Sequence, residues 1–188
     1  MANKIFFMDR DGTINIDVHH LCEPAKVVLI ENVAAGISRI RQAGFKTVIV
    51  SNQSCIGRGY ATISQVDQTM NKVLELLKEA DPRALIDLVL YAPDHPDKPS
   101  ERRKPGPGMI YEALKIYPGT DLRECFIVGD KISDPEAGRS AGIPSVNCVL
   151  VNQDGDRSLE DALQVERARD QGFSFSNCLF DFVSRSGI

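Results

Sequence analysis

The chain has 188 residues, of which 43% are hydrophobic and 26% charged. That balance supplies a real core without disulfide or metal staples and predicts one domain over residues 1–188. The 22 basic and 26 acidic residues leave a net charge of −4, which argues against binding nucleic acid through phosphate neutralisation. Apolar runs such as Ile5-Phe6-Phe7-Met8 and Val48-Ile49-Val50 fall far short of the ~20 residues needed to cross a bilayer. The opening Met1-Ala2-Asn3-Lys4 has no signal-peptide anatomy. Five cysteines, an odd number without a Cys-x-x-Cys pair, read as reduced thiols. The expectation is a cytoplasmic monomer with no membrane or nucleic-acid partner.

Strand and helix patterns alternate along the chain. Lys4–Met8 is a short apolar strand. Glu31–Ala43 carries Val33, Ile37 and Ile40 at helical spacing, with Gly44 positioned to end the helix. Phe45–Val50 is a second strand. Thr62 can cap a helix to about Ala80, with Val66, Met70, Val73, Leu74 and Leu77 on one face. Leu85–Tyr91 is a third strand, and a proline-rich loop follows it. Met109–Ile116 is a helix, Cys125–Val128 a strand, Pro135–Ala141 a helix and Ser145–Val151 a strand. In the tail, Ser158–Gln171 reads as a polar surface helix and Cys178–Val183 as a terminal helix on the sheet.

This alternation predicts an α/β fold, a doubly wound and mainly parallel sheet with helices on both faces. A ligand site is then expected beyond the carboxyl ends of the strands. The residues that follow each strand bear chemistry. They are Asp9-Arg10-Asp11-Gly12-Thr13, Ser51-Asn52-Gln53, Arg102-Arg103-Lys104-Pro105 and Gly129-Asp130-Lys131-Ile132-Ser133-Asp134. Any one of these would pass for turn chemistry. Four of them at one sheet edge would not.

The set resembles the four motifs of the haloacid dehalogenase-like (HAD) superfamily, in order, from about Lys4 to Val151. The resemblance implies a phosphatase in which Asp9 attacks phosphorus and forms an aspartyl-phosphate. Asp11 would protonate the leaving alcohol and later activate water. It also implies Mg²⁺ on Asp9, the Asp11 backbone carbonyl and Asp130, with Asp134 orienting the metal's waters or Lys131. Thr13, Ser51, Asn52, Gln53 and Lys131 fall on substrate-contacting positions, and Lys104 would neutralise the transferring phosphoryl group.

Ser51–Tyr60, Asp9–Asn15 and Arg103–Met109 look most like the branch of heptose bisphosphate and histidinol-phosphate phosphatases, closer to the heptose enzymes at Ile56-Gly57-Arg58-Gly59-Tyr60. The substrate so implied is D-glycero-D-manno-heptose 1,7-bisphosphate, losing its 7-phosphate in the making of lipopolysaccharide or capsule precursors. Arg58 and Arg103 are candidates for its second phosphate, because a guanidinium forks onto two oxygens. The alternatives are a histidinol-phosphate or other small phosphomonoester phosphatase and, outside enzymes, a non-catalytic phosphosugar-binding protein. Members of this branch often carry a zinc loop of three cysteines and a histidine. Residues 91–103 here hold His95 and no cysteine, so no zinc is expected and the prolines must stiffen the loop. No cap domain fits between the motifs. Three loops, Asn15–Ala25, Ser54–Ala61 and Ala92–Arg103, should shape the site. His19 and His20 read equally as a substrate wall or a polar loop, and Cys55 as a buried small side chain.

Overall fold

A computed structural model describes residues 3–18, 21–151 and 159–188. Six strands lie in one sheet: β1 (Ile5–Met8), β2 (Lys46–Asn52), β3 (Leu88–Ala92), β4 (Phe126–Gly129), β5 (Cys148–Val151) and β6 (Ser174–Ser176). Their spatial order is β3-β2-β1-β4-β5-β6, and every pairing is parallel. The chain runs outward from β1 through β2 to β3, then returns to β4 on the other side. The order reverses between β1 and β4, and a ligand crevice forms at such a switch point.

The pleat of β1 explains the two cores. Phe6 and Met8 face one side, where α1 (Val33–Gln42), α3 (Ile63–Ala80) and α7 (Leu179–Ser186) cover them. Ile5 and Phe7 face the other, beneath α4 (Gly108–Ile116), α5 (Ser133–Ala141) and α6 (Leu159–Asp170). All four β1 side chains are fully buried, as expected of a central strand in a two-faced sheet. Phe6 stacks on Phe126 at 5.6 Å between ring centroids and meets Phe45 edge-on at 5.8 Å. Thr62 caps α3 as expected, and Gln65 completes a reciprocal capping box.

Five elements differ from the sequence-based expectation. The strand expected from Ser145 opens as a 3-10 turn over Ser145–Asn147. The strand expected from Leu85 begins only at Leu88. The tail adds β6, whose three residues are too few to show a period. The helix α6, expected to be a polar surface element, buries Val165 and Ala168. Within the loop expected over Ser54–Ala61, Ser54–Gly57 forms one helical turn, α2.

Candidate active site

Asp9 follows β1 directly, and its N–H donates to Val128 O at 2.9 Å. The next residues turn tightly: Gly12 N donates to Asn15 O at 2.7 Å, and Ile14 N to Arg10 O at 2.8 Å. Gly12 sits at φ 74°, and a Cβ there would collide with the Asp130 carboxylate. Glycine is therefore required for both the turn and the close approach of the β1 and β4 loops. Beyond the turn, Ile16 N donates to Val28 O at 2.9 Å and Ile30 N to Ile14 O at 3.0 Å. These bonds fix the direction of the loop past the site.

The Asp11 carboxylate is held by three side chains. Arg10 forks onto it, with Nε 3.0 Å from Oδ1 and Nη2 2.6 Å from Oδ2. Asn15 Nδ2 donates to Oδ1 at 2.9 Å and Gln53 Nε2 to Oδ2 at 3.0 Å. Arg10 is fully buried, and its Nη2 also donates to Leu21 O at 3.3 Å. Sequence reasoning missed Arg10 and Asn15, because a charged or amide side chain beside two aspartates reads as solvated.

At the end of β2, Gln53 Nε2 also donates to Ser51 Oγ at 2.9 Å, so Gln53 links motif II to Asp11. Asn52 and Lys104 exchange two bonds: Asn52 Nδ2 donates to Lys104 O and Lys104 N to Asn52 Oδ1, both at 3.0 Å. Expected to face a phosphoryl group, Asn52 thus also fixes the Lys104 backbone. The Lys104 side chain is buried, with Nζ 2.6 Å from Val50 O, 3.0 Å from Asp9 Oδ1 and 2.5 Å from Asp134 Oδ1. Burial opposes its charge, but Asp134 and Asp9 outweigh burial and raise the pKa. Thr13 is fully buried, and its hydroxyl has no hydrogen-bond partner.

One carboxylate oxygen from each of Asp9, Asp130 and Asp134 falls within 4.8 Å of the others, a cluster able to hold a metal ion. Asp130 Oδ1 is buried without a hydrogen-bond partner. Burial first, then the Asp9 charge, hold the Asp130 carboxyl well above the usual range, while Lys131 pulls it down. A cation beside Asp9 and Asp130 would satisfy that oxygen and offset the repulsion. An all-oxygen donor set suits a hard divalent ion such as Mg²⁺. Asp134 sits in the same cluster but has both oxygens engaged: Lys104 lies against Oδ1, and Lys131 N donates to Oδ2 at 2.9 Å. That leaves Asp134 better placed to orient neighbours than to bind the ion itself.

Asp11, Asp17, Asn52, Gln53 and Lys131 line a cavity of about 110 Å³. Lys131 Nζ lies 3.2 Å from Asp17 Oδ2 and 4.0 Å from Asp130 Oδ2. Asp17 is a further residue that sequence reasoning passed over. Cys55 is buried as expected, and burial pushes its thiol pKa up, which suits an inert side chain. His19 and His20 lie outside the described residues.

Arg58 is exposed at the end of α2, whereas Arg103 is half-buried and its Nη1 donates to Asp94 O at 3.4 Å. Burial lowers the Arg103 pKa, Asp94 opposes this, and the Arg58 guanidinium lowers it further. The two guanidinium groups therefore lie within electrostatic reach of one another. The loop before Lys104 is tied by its own polar groups as well as by prolines. Ser100 N donates to Asp94 Oδ1 at 2.9 Å, and Asp97 N to His95 Nδ1 at 3.2 Å. Gly57 lies so close to the backbone of residues 93–95 that a Cβ would overlap it. The motif II and pre-lysine loops are thus packed together.

Residues 4–181 match the family model described as polynucleotide kinase 3 phosphatase, and the chain belongs to that family, within the HAD-like phosphatases. The chain is 38% identical over 173 residues to a D-glycero-beta-D-manno-heptose-1,7-bisphosphate 7-phosphatase of Mesorhizobium japonicum, covering 87% of this chain and 76% of that one. It is 36% identical over 157 residues to a D-glycero-alpha-D-manno-heptose-1,7-bisphosphate 7-phosphatase of Photorhabdus laumondii, covering 79% and 82%. Among solved structures it resembles the D,D-heptose 1,7-bisphosphate phosphatase of B. bronchiseptica, complexed with magnesium and phosphate. That match has a TM-score of 0.79 and 25% identity over 97% of both chains.

Proposed function

We propose that this chain is a Mg²⁺-dependent phosphatase that removes the 7-phosphate of D-glycero-D-manno-heptose 1,7-bisphosphate. The observation that carries the reading is the convergence of Asp9, Asp11, Asp130 and Lys104 at the β1/β4 crevice in a chain related to named heptose bisphosphate phosphatases. A solved relative is described with magnesium and phosphate. Asp9, the Asp11 backbone carbonyl and Asp130 would hold the ion. When bound, Mg²⁺ neutralises phosphoryl charge and aligns the group.

The residues of the chain do the rest. An Asp9 oxygen attacks phosphorus, the bond to the sugar oxygen breaks, and Asp11 gives that oxygen a proton. Water then attacks the aspartyl-phosphate, and Asp11 takes a proton back. Lys104, fixed by Asn52 and Val50, offsets charge on the phosphoryl oxygens. Ser51 and the remaining amide proton of Asn52 are donors on the same strand end. Arg58 and Arg103, whose positive charges lie within electrostatic reach of one another, form the second anion site. We read the chain as one domain without a cap.

Phosphate release across sugar bisphosphates, sugar monophosphates and histidinol phosphate tests the reading. The heptose bisphosphate should give the highest kcat/KM. A preference for histidinol phosphate would overturn it, because that substrate carries an amine where two arginines stand.

A further inference from the structure

We infer that Arg10 is the positioning residue for the proton transfer that Asp11 carries out. The inference rests on the phosphatase reading and deepens it, with a side chain set beneath the site. Arg10 is fully buried, where a guanidinium is rarely found unless it is paired. Its pairing is with one carboxylate. Nε and Nη2 reach the two oxygens of Asp11 at 3.0 and 2.6 Å, and Nη2 also donates to Leu21 O at 3.3 Å. Nη1 is buried and has no hydrogen-bond partner among the described residues. Leaving a nitrogen of a charged group so is unfavourable, and the fork is kept in spite of it. A fork fixes the plane of the carboxylate as well as its distance, which a single bond does not.

Four side-chain bonds meet the two oxygens of Asp11. Arg10 and Asn15 supply three of them, and both are fully buried. Asn15 is itself anchored, because its Nδ2 also donates to Ile16 O at 2.9 Å. The fourth comes from Gln53 Nε2, 3.0 Å from Oδ2, and Gln53 lines the cavity beside Asp11. Asp11 is thus gripped from the buried side, and the Gln53 amide is the donor that stands on the cavity side. A proton carried by Asp11 leaves on that side, where the leaving oxygen lies. In the first step an Asp9 oxygen bonds to phosphorus. The bond from phosphorus to the sugar oxygen breaks with its electron pair on that oxygen, and the Asp11 proton moves there to give the alcohol. Arg10 and Asn15 hold Asp11 through the transfer and keep it in place as the carboxylate that the water step needs.

The test compares two leaving groups through kcat/KM, which reports the first step. The sugar oxygen of heptose 1,7-bisphosphate needs a proton to leave, and the nitrophenolate of 4-nitrophenyl phosphate does not. Arg10→Met keeps a long side chain and removes the fork, whereas Arg10→Lys keeps the charge as well but cannot fork. Arg10→Met should lower kcat/KM for the bisphosphate by about a hundredfold, the scale of a misplaced general acid. For 4-nitrophenyl phosphate the loss should be no more than about threefold. Arg10→Lys should show the same split. In an Asp11→Asn background, replacing Arg10 should change the bisphosphate rate by no more than about twofold, because a positioning residue acts through Asp11. Equal losses on the two substrates would overturn the inference, since a merely structural role gives that result. A full effect of Arg10→Met in the Asp11→Asn background would overturn it as well, as would wild-type turnover of the bisphosphate by Arg10→Lys. If Arg10→Met does not fold, Arg10→Lys carries the comparison alone. In each of these cases wild-type turnover of the bisphosphate leaves the phosphatase reading standing. A wild type inactive on both substrates would instead remove that reading, and the inference with it.

Discussion

Replacing Lys104 with Met keeps a long, flexible side chain and removes its charge. In the native site that ammonium is 4% exposed and lies against Val50 O, Asp9 and Asp134 at 2.6, 3.0 and 2.5 Å. A preorganised charge in a water-poor site is worth about 2.7–4 kcal/mol to a transition state, so kcat/KM should fall by roughly 10²–10³. Stability should fall as well, because breaking a buried ion pair from one side costs about 3–5 kcal/mol. Mg²⁺ should behave oppositely. Lys104 repels a cation bound near Asp9, so its removal should tighten Mg²⁺ binding measured by calorimetry. Lost turnover with tighter metal binding is the expected pair of results. Turnover within tenfold of wild type would refute the electrostatic role. Lost turnover together with lost Mg²⁺ binding would refute it too, by showing that Lys104 only holds the site together.

Arg58→Ala should lower kcat/KM for a sugar bisphosphate by roughly ten- to a hundredfold and leave a monophosphate nearly unchanged; equal losses would remove the second anion site. Metal analysis of the purified protein should find no stoichiometric zinc, and a zinc chelator that spares Mg²⁺ should leave activity unchanged; one zinc per chain would contradict this. Asp87 accepts bonds from Thr47 N at 2.9 Å and Arg41 Nη1 at 2.5 Å. Burial pushes its pKa up, but these bonds outweigh burial and hold it below the ordinary value. Its contribution to stability is therefore present above about pH 4 and lost as pH falls through the folded-state pKa. Asp87→Asn should cost about 1–2 kcal/mol in urea unfolding at pH 7, with the gap closing below about pH 4; a gap constant with pH would refute the assignment.

What could be read from the sequence follows from what is local. The strands that lead to Asp9, Ser51 and Asp130 are short apolar runs with polar residues behind them, Lys104 follows a proline-marked loop, and Thr62 is a cap visible ahead of an apolar-periodic run. Residues whose role depends on distant partners were not visible. Arg10 is buried only because Leu21 O and the Asp11 carboxylate curl over it. Asp17 gains meaning from Lys131, far along the chain. The strand β6 is recruited by β5, to which Val149, Leu150 and Val151 register against Ser174, Phe175 and Ser176. Its own three residues specify nothing. The helix α6 buries two small apolar residues in a polar sequence, a stripe too narrow to read as a core-facing helix.

The charges at the crevice explain why metal and substrate should belong together. Asp9, Asp11, Asp17, Asp130 and Asp134 contribute five negative charges when ionised, and Arg10, Lys104 and Lys131 contribute three positive ones. The cluster is then left with two excess negative charges, beside an Asp130 Oδ1 that has no hydrogen-bond partner. A phosphate dianion arriving at such a site meets repulsion, although Lys104 stands ready, because that ammonium already serves two carboxylates. One divalent ion cancels the excess, and the dianion then restores the original balance. The ion thus prepares the site for a dianion that would be strongly repelled without it. Arg10 matters to this arrangement because it neutralises Asp11 from beneath. The ion is thereby left to serve Asp9 and Asp130, and Asp11 keeps its carboxylate turned toward the cavity that it shares with Asp17 and Lys131.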